Sequence, residues 1–158
     1  MANRRYNRNP ANQTSFKLEI PGLEEMNYFV QNTILPGMTM GGISTPYKNH
    51  QTNVPSNRVD YDEVSMTFIV DEDYSNHTQI RLWMHAFALG KDPIWSVTKN
   101  VNLFILNSNK QPKLKVVYYN AYPTGLGSLS LNSAVNSTEP MATNVNFRFQ
   151  YYDVLPVT

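Results

Sequence analysis

The sequence predicts a mainly β protein: a β-sandwich or partly closed barrel of about seven strands, with one flanking α-helix and a long protruding loop. Two observations support this fold class. Short segments that alternate apolar and polar residues recur along the chain, as in strands that are buried on one face. One segment alone has the apolar spacing of an amphipathic helix. At 158 residues, the chain suits one domain with a substantial core.

Residues 1–15 differ in composition from the rest of the chain. They include three arginines, several asparagines and one proline, and they offer few side chains to a core. We expect a flexible basic arm here, followed by a single β domain in residues 16–158. A solvated or subunit-docking arm is favoured over a nucleic-acid-binding one. The predicted contact residues of the arm are Arg4, Arg5, Tyr6 and Arg8.

Two short strands and a long loop are predicted next. The strand segments FKLEI and MNYFVQNTIL end at the turn signals Pro21-Gly22 and Pro36-Gly37. From Gly37 to about Asp60 the alternation disappears, and so long an irregular segment in a compact domain is usually functional. Its apolar side chains would be costly to leave in water, so we expect it to dock onto another subunit. The predicted contact residues are Met38, Met40, Ile43, Tyr47, Val54 and Arg58.

The only predicted helix follows the strand segment DEVSMTFIV. Four apolar residues there have the i, i+3, i+4, i+7 spacing of a buried helix face. These core residues are Ile80, Trp83, Met84 and Phe87. Ser75 or Asp73 is expected to cap the helix, and Gly90 to end it. Trp95, just beyond, fits either the core or an interface.

The rest of the chain is predicted to form strands: NVNLFIL with its hairpin partner KLKVVYY, then GLGSLSLN and NVNFRFQYYDV. In GLGSLSLN, Leu129 and Leu131 are expected in the core. The opposite face lacks the charged residues that usually cover a solvent-facing strand. That face consists of Ser128, Ser130 and Asn132. We therefore expect it to contact something other than ordinary solvent.

The composition argues against several classes of function. The chain has no cysteine, which excludes disulfides, cysteine-based metal sites and thiol nucleophiles. A net charge of +1 gives no overall attraction to nucleic acid or anionic membranes, and no apolar stretch is long enough to span a bilayer. The three histidines are scattered, whereas zinc needs three or four convergent ligands. With no nucleophile elbow or phosphate loop either, we expect no enzyme, metal or cofactor.

Charged residues make up 16% of the chain, compared with about 25% in typical soluble proteins. Two interpretations remain open. The low value is within the normal variation of β-rich proteins, or else much of the surface is covered by copies of the same protein. The second interpretation follows because interface cores are depleted in Lys, Glu and Asp.

Several segments occur in an order that resembles a known family. FKLEI and FVQNTILPG come first, and Val59-Asp60-Tyr61-Asp62 then leads into EVSMTFIVDEDYSN. The helix follows, and AYPTGLGSLSLNS and NVNFRFQYYDV come near the end. This order, from about residue 16 to residue 154, resembles that of the tube-forming proteins of contractile phage tails. No single motif is catalytic; the shared order carries the resemblance.

The resemblance implies a structural virion protein located in the phage tail. Members of the family form stacked hexameric rings in which one sheet of each subunit joins a continuous β-barrel around a channel. The implied partners are other copies of the chain, tail sheath and baseplate proteins, and DNA that passes without specific binding. Ser128, Ser130 and Asn132 would line the lumen or contact a neighbour. The alternatives are a baseplate ring that initiates the tube, a secretion-system tube subunit, or a monomeric β-sandwich binding module.

Overall fold

The computed structural model describes residues 16–24, 26–134 and 138–157, apart from the side chains of Asn27 and Tyr28. The predicted basic arm, with Arg4, Arg5, Tyr6 and Arg8, lies outside these residues. The described chain forms nine strands and three helical segments. The strands are β1 (Phe16–Glu19), β2 (Val30–Thr33), β3 (Met38–Tyr47), β4 (His50–Tyr61), β5 (Val64–Ile69), β6 (Lys99–Leu106), β7 (Pro112–Leu126), β8 (Ala142–Arg148) and β9 (Tyr151–Pro156). The helices are α1 (Met26–Phe29), α2 (Ser75–Leu89) and α3 (Ile94–Val97).

Seven of the strands form two packed sheets that share β7. Sheet A has the order β1–β6–β7–β9, and sheet B has the order β7–β8–β5–β2, with antiparallel pairing throughout. Strands β3 and β4 form a separate hairpin. This architecture confirms the predicted mainly β fold with a flanking helix. Within the described residues, the sheets do not close into a barrel.

Strand β7 passes from sheet A to sheet B at Asn120. This residue has a φ of 52°, in the left-handed region that asparagine tolerates better than most residues. Its backbone N–H donates to Asn100 Oδ1 at 3.1 Å, and its Nδ2 donates to Gln150 Oε1 at 2.7 Å. The bend is thus held by hydrogen bonds to β6 and to the turn between β8 and β9.

The core lies between the inner faces of the two sheets. Strict alternation on β5 and β8 buries Val64, Met66 and Phe68 on the first strand and Val145 and Phe147 on the second. Sheet A adds a matching row from its own strands. That row includes Leu18, Leu103, Val116 and Tyr118. The period-two pattern of β5 and β8 in the sequence therefore corresponds to the buried and outer faces of sheet B.

Helix α2 closes one side of this core, as the sequence predicts. Ile80 and Trp83 are buried, and Met84 and Phe87 are partly buried against the core. The indole Nε1 of Trp83 donates to the Val97 carbonyl at 2.7 Å, and its ring lies 5.7 Å from that of Phe147. The helix ends at Gly90, whose φ of 59° confirms the predicted stop.

The predicted N-terminal cap of α2 is wrong. The capping carboxylate belongs to Asp71, which accepts hydrogen bonds from the Ser75 hydroxyl and from the Asn76 backbone N–H. Asn76 is fully buried, and its Nδ2 donates to the Ile69 carbonyl at 2.8 Å. The cap comes from farther back in the sequence because Tyr74, at a φ of 57°, turns the chain just before the helix.

Three predicted strand segments differ from the structure. The first four residues of MNYFVQNTIL form the helical turn α1, and NVNFRFQYYDV is divided into β8 and β9 by a turn at Phe149-Gln150. GLGSLSLN does not form a strand of its own. Its first two residues end β7, and residues 127–132 are irregular. Leu129 packs partly against the core, but Leu131 is 74% exposed, so its predicted burial is wrong.

The predicted irregular loop from Gly37 to Asp60 is also wrong in its internal structure. It forms the β3–β4 hairpin, in which Met38 pairs with Tyr61 at the base and Tyr47 with His50 at the tip. A register shift after Met40 interrupts the pairing, which explains why the sequence shows no sustained period. Its protrusion is confirmed in one respect: nearly every residue of both strands is exposed.

Replacing Trp83 by alanine should destabilise the fold by about 3–5 kcal/mol, since it removes a large buried ring and its indole hydrogen bond. Urea unfolding of the two proteins measures the difference. Leu82→Ala is the matched control, because Leu82 is 59% exposed on the same helix. A loss of less than about 1 kcal/mol for Trp83→Ala would show that the ring is not part of the core.

The Asp71 cap predicts a defined response to acid. Partial burial tends to raise the pKa of Asp71, but hydrogen bonds from the Ser75 hydroxyl and the backbone N–H groups of Asn76 and Ser75 lower it overall. A carboxyl whose folded pKa is depressed stabilises the fold above its unfolded pKa, and this stabilisation is lost as pH falls through the folded pKa. Asp71→Asn should therefore cost about 1 kcal/mol at pH 7, because the amide oxygen accepts these hydrogen bonds without the charge that strengthens them.

The same difference between wild type and Asp71→Asn should shrink as the pH is lowered below the ordinary aspartate pKa of 3.8. Urea unfolding at neutral and acidic pH measures both values. Asp73→Asn is the control, because Asp73 is exposed and close in sequence. An equal effect of Asp71→Asn at both pH values would contradict a role for the ionised carboxylate.

Candidate interaction surfaces

The β3–β4 hairpin carries the largest set of exposed apolar side chains. The predicted contact residues Met38, Met40, Ile43, Tyr47 and Val54 are all exposed here, by 46–62%. Val59, which the sequence reasoning missed, is 38% exposed and pairs with Met40 across the hairpin. The pairing of Val59 with Met40 cannot be predicted from the sequence without knowing the register of the hairpin. An exposed apolar ribbon of this kind is typical of an interaction surface.

Arg58 lies on this hairpin but is already paired. Its Nε donates to Asp60 Oδ1 at 2.9 Å, and both side chains are well exposed. Such a surface pair contributes little to stability. The Arg58 charge is thus neutralised locally, which leaves the apolar side chains as the main feature of the hairpin.

The base of the hairpin is fixed to the body of the protein. The Tyr61 ring lies 5.5 Å from that of Phe149 and 5.4 Å from that of Tyr152. The Asp62 N–H donates to the Gly37 carbonyl at 3.1 Å, closing the base. A Cβ at position 37 would lie 2.7 Å from Asp62 Oδ2, so glycine permits this close approach. The hairpin is therefore anchored at one end and exposed along its length.

The outer face of sheet B is a second distinctive surface. Ser65 pairs with Asn146 and Thr67 with Asn144 across β5 and β8, opposite to the buried alternation. The Thr124 hydroxyl continues this row on β7 and donates to the Asn146 carbonyl at 3.3 Å. These five side chains are small and uncharged. We call them the neutral face.

Among the described residues, the charges next to the neutral face lie at one end of it and are paired there. Arg148 Nε donates to Glu63 Oε1 at 2.7 Å. The outer face of sheet A is different, since Lys17, Lys115 and Asp153 lie on it. The two sheets therefore present chemically distinct outer surfaces.

The residues Ser128, Ser130 and Asn132 do not form the predicted strand face. All three are exposed in the irregular segment after β7, and Asn132 Oδ1 accepts a hydrogen bond from the Ala134 N–H at 2.9 Å. The segment begins beside β8, where the Gly127 N–H donates to the Asn144 carbonyl at 2.7 Å. A Cβ at Gly127 would overlap Thr143 Oγ1 and Asn144 Oδ1, so only glycine fits.

Helices α2 and α3 carry a third surface. Leu82, Leu89, Ile94 and Trp95 are 59–68% exposed, so Trp95 is not a core residue. A pocket of about 440 Å³ opens beside them. Its lining residues are Gly22, Leu23, Gln79, Leu82, Trp83, Ala86, Asp92, Ser96, Val97 and Lys99. We call it the α2–α3 pocket.

Sheets A and B have four unpaired edges within the described residues: β1 and β9 in sheet A, and β2 and the end of β7 in sheet B. The outer edges of β3 and β4 in the hairpin are unpaired as well. No cluster of three or more potential metal-ligating side chains occurs in the described part of the chain. His50 lies at the hairpin tip, where its ring is 5.6 Å from that of Tyr47. None of the described helices is long and apolar enough to cross a membrane.

Comparisons with known proteins give matches at the level of structure. No protein-family profile and no curated sequence matches the chain. A chain of the PVC extracellular contractile injection system, in its extended sheath–tube complex, is similar with a TM-score of 0.73 and 12% identity. The match covers 95% of this chain and 94% of that chain.

Two chains of the anti-feeding prophage are also similar. One is from the cap that terminates the tube, with a TM-score of 0.72, 13% identity, and coverage of 99% of this chain and 100% of that chain. The other is from the baseplate, with a TM-score of 0.68, 14% identity, and coverage of 94% and 97%. The chain therefore has the fold found in tube, cap and baseplate assemblies of contractile injection systems, as the sequence resemblance predicts.

Proposed function

We propose that this protein is a non-enzymatic structural subunit that assembles with copies of itself into the tube of a contractile tail or injection apparatus. The observation that carries the proposal is the β3–β4 hairpin, an anchored arm with six exposed apolar side chains. Leaving these groups in water is unfavourable, and a second subunit would cover them. The fold shared with tube-associated chains supports the same role.

The finer proposal is a hexameric ring, stacked with others, in a phage tail or a related injection particle. The sheet edges support ring formation, because an unpaired edge offers N–H and C=O groups to a strand of a neighbour. A sheath and a baseplate are the proposed partners, since similar chains occur in a sheath–tube complex and in a baseplate. A ring that initiates or terminates the tube is the nearest alternative. The basic arm of residues 1–15 is a further proposed subunit contact.

We assign the channel wall of this tube to the neutral face of sheet B, instead of to Ser128, Ser130 and Asn132. A closed barrel wall is built from paired strands, which the neutral face supplies and residues 127–134 do not. Uncharged side chains suit a conduit, because lysine or arginine would hold a passing phosphate backbone through charge-assisted contacts. The charged outer face of sheet A is less suited to that role.

A monomeric β-sandwich module that binds carbohydrate is the competing hypothesis. It would need exposed aromatic rings as a stacking platform. Several tyrosines instead pack with one another at the hairpin base: Tyr118 is buried, and its ring lies 5.0 Å from that of Phe149. The exposed Trp95, Tyr47, Tyr74 and Tyr151 are compatible with either hypothesis.

The purified full-length chain should form rings or longer polymers, which light scattering and electron microscopy would detect. Ile43→Ser combined with Val54→Ser should reduce assembly about tenfold or more, because the two paired apolar side chains are 59% and 46% exposed in the free chain. Their removal should leave the thermal midpoint of the monomer almost unchanged. Thr45→Ser with Thr52→Ser, a neighbouring pair, is the control. A wild-type chain that stays monomeric at high concentration would contradict the proposed function.

Thr67→Lys with Asn144→Lys should leave rings intact and make them retain a DNA oligonucleotide in a salt-sensitive manner. The added charges repeat around each ring and along the tube, so weak phosphate contacts add up. Oligonucleotide retention by assembled wild-type and variant tubes at low and high salt measures the effect. Asn102→Lys on sheet A is the matched control, and Ser130→Lys tests the position first predicted from sequence. Loss of assembly would place the neutral face between subunits instead.

A further inference from the structure

We propose that the tip of the β3–β4 hairpin of one subunit inserts into the α2–α3 pocket of a second copy of this chain. The inference rests on the proposed assembly and names the surface that receives the hairpin. Two sets of exposed side chains, one at the tip and one around the pocket, have complementary chemistry.

The tip presents an aromatic ring together with a cation. Tyr47 pairs with His50 across the turn, and the residue is 57% exposed. Lys48, at a φ of 52°, forms the turn, and its Nζ lies 5.6 Å from the centre of the Tyr47 ring. Among the described residues, the acidic residue nearest to Lys48 in sequence is Asp60, and Asp60 is already paired with Arg58. The charge of Lys48 is therefore available to a partner.

The pocket offers apolar walls and oxygen acceptors. Leu82, Trp83 and Ala86 supply the α2 wall, and Asp92 is its one acidic residue. The cation in the pocket, Lys99, is already engaged, since its Nζ donates to the Pro21 carbonyl at 3.0 Å and lies 5.7 Å from the Trp83 ring. A volume of about 440 Å³ is ample for one tyrosine ring and a lysine head group.

A second acceptor in the pocket has no partner among the described residues. Gln79 lines the pocket, and its Oε1 is buried without a hydrogen bond. An unsatisfied buried carbonyl is unfavourable. A small rotation of the side chain would bring this oxygen to the pocket surface, where the Tyr47 hydroxyl or Lys48 ammonium would satisfy it. The pocket therefore has an acceptor without a hydrogen-bond donor, and the Tyr47 hydroxyl at the tip is such a donor.

The geometry of the hairpin favours a second copy over the same chain. Ten residues of β3, at about 3.3 Å each, place the tip about 30 Å along the hairpin from its anchored base. Each copy carries one tip and one pocket on different elements, so the contact is heterologous unless two copies exchange tips reciprocally in a closed dimer. Repeated heterologous contacts produce a closed ring or an open stack. Both outcomes agree with the proposed assembly.

The contact is also too small to hold two subunits alone. A ribbon of two strands is about 10 Å wide, and its tip covers far less than the about 800 Å² per partner of a stable interface. Pairing of the unpaired sheet edges would supply the remaining area. The inference must therefore be tested on the assembled protein.

Charge reversal tests the pairing of Lys48 with Asp92. Lys48→Glu and Asp92→Lys should each raise the concentration needed for assembly about tenfold or more, and combining them in one chain should restore most of the loss. Both side chains are exposed, so the thermal midpoints should stay near that of wild type. Lys91→Glu, next to Asp92 but outside the pocket lining, is the matched control. Absence of rescue in the double variant would overturn the pairing.

Disulfide trapping tests the occupant of the pocket. The chain has no cysteine, so Asn49→Cys at the tip and Ser96→Cys at the pocket can be introduced cleanly. A mixture of the two single variants, oxidised after assembly, should give a covalent dimer on a denaturing gel. Asn49→Cys mixed with Asn109→Cys, in the turn between β6 and β7, should not.

The outcomes separate the inference from the proposed function. Wild-type assembly with no cross-link and no charge rescue would retain the function and reject this contact, leaving the pocket to a different protein such as a surrounding sheath. A wild-type chain that never assembles would reject both. Cross-linking together with charge rescue would establish the tip-to-pocket contact.

Discussion

Strand β7 is the element on which the rest of the fold depends, because it belongs to both sheets. It can do so only by bending, and Asn120 makes the bend at a positive φ that most residues avoid. The side chain of Asn120 then bonds to Gln150 in the turn between β8 and β9, so the same residue directs β9 onto sheet A and leaves β8 on sheet B. The two-sheet sandwich, and the outer face of each sheet, follow from this corner.

The same corner anchors the exposed hairpin. Tyr118 on β7 is buried beside Phe149 and Tyr152, and this burial raises the pKa of its hydroxyl, with the nearby Tyr152 adding to the effect. Tyr61, at the base of the hairpin, packs on the same rings. This aromatic contact at the base allows the β3–β4 hairpin to project while nearly all of its residues stay exposed. The strand that organises the core thus also fixes where the interaction arm begins.

Sequence reasoning succeeded where one physical signal dominated. The apolar spacing of α2 follows directly from burial, so the helix and its inward face, including Ile80 and Trp83, were predicted correctly. The segments that form β5 and β8 were predicted as strands from their alternation. It failed where a distant contact decides the backbone. GLGSLSLN alternates like a strand, yet Gly127 is held against Thr143 and Asn144, and the chain leaves the sheet there. The register shift hid the pairing of the hairpin strands. The uncharged polar face was predicted in the segment after β7, but it lies on β5, β8 and the end of β7.

The two interpretations of the low charge content are better separated by where the charges lie than by their number. Sheet A carries charged residues on its outer face, whereas three other surfaces are low in charge. The neutral face of sheet B has no charge, and the hairpin has Lys48 and the Arg58–Asp60 pair. The α2–α3 surface sets Asp92 and Lys99 beside the apolar Leu82, Ile94 and Trp95. Random variation among β-rich proteins gives no reason for three such surfaces beside one charged face. Coverage by neighbouring subunits and an enclosed channel would remove the need for charge on those three surfaces alone. The uneven distribution therefore favours a surface shaped by self-assembly.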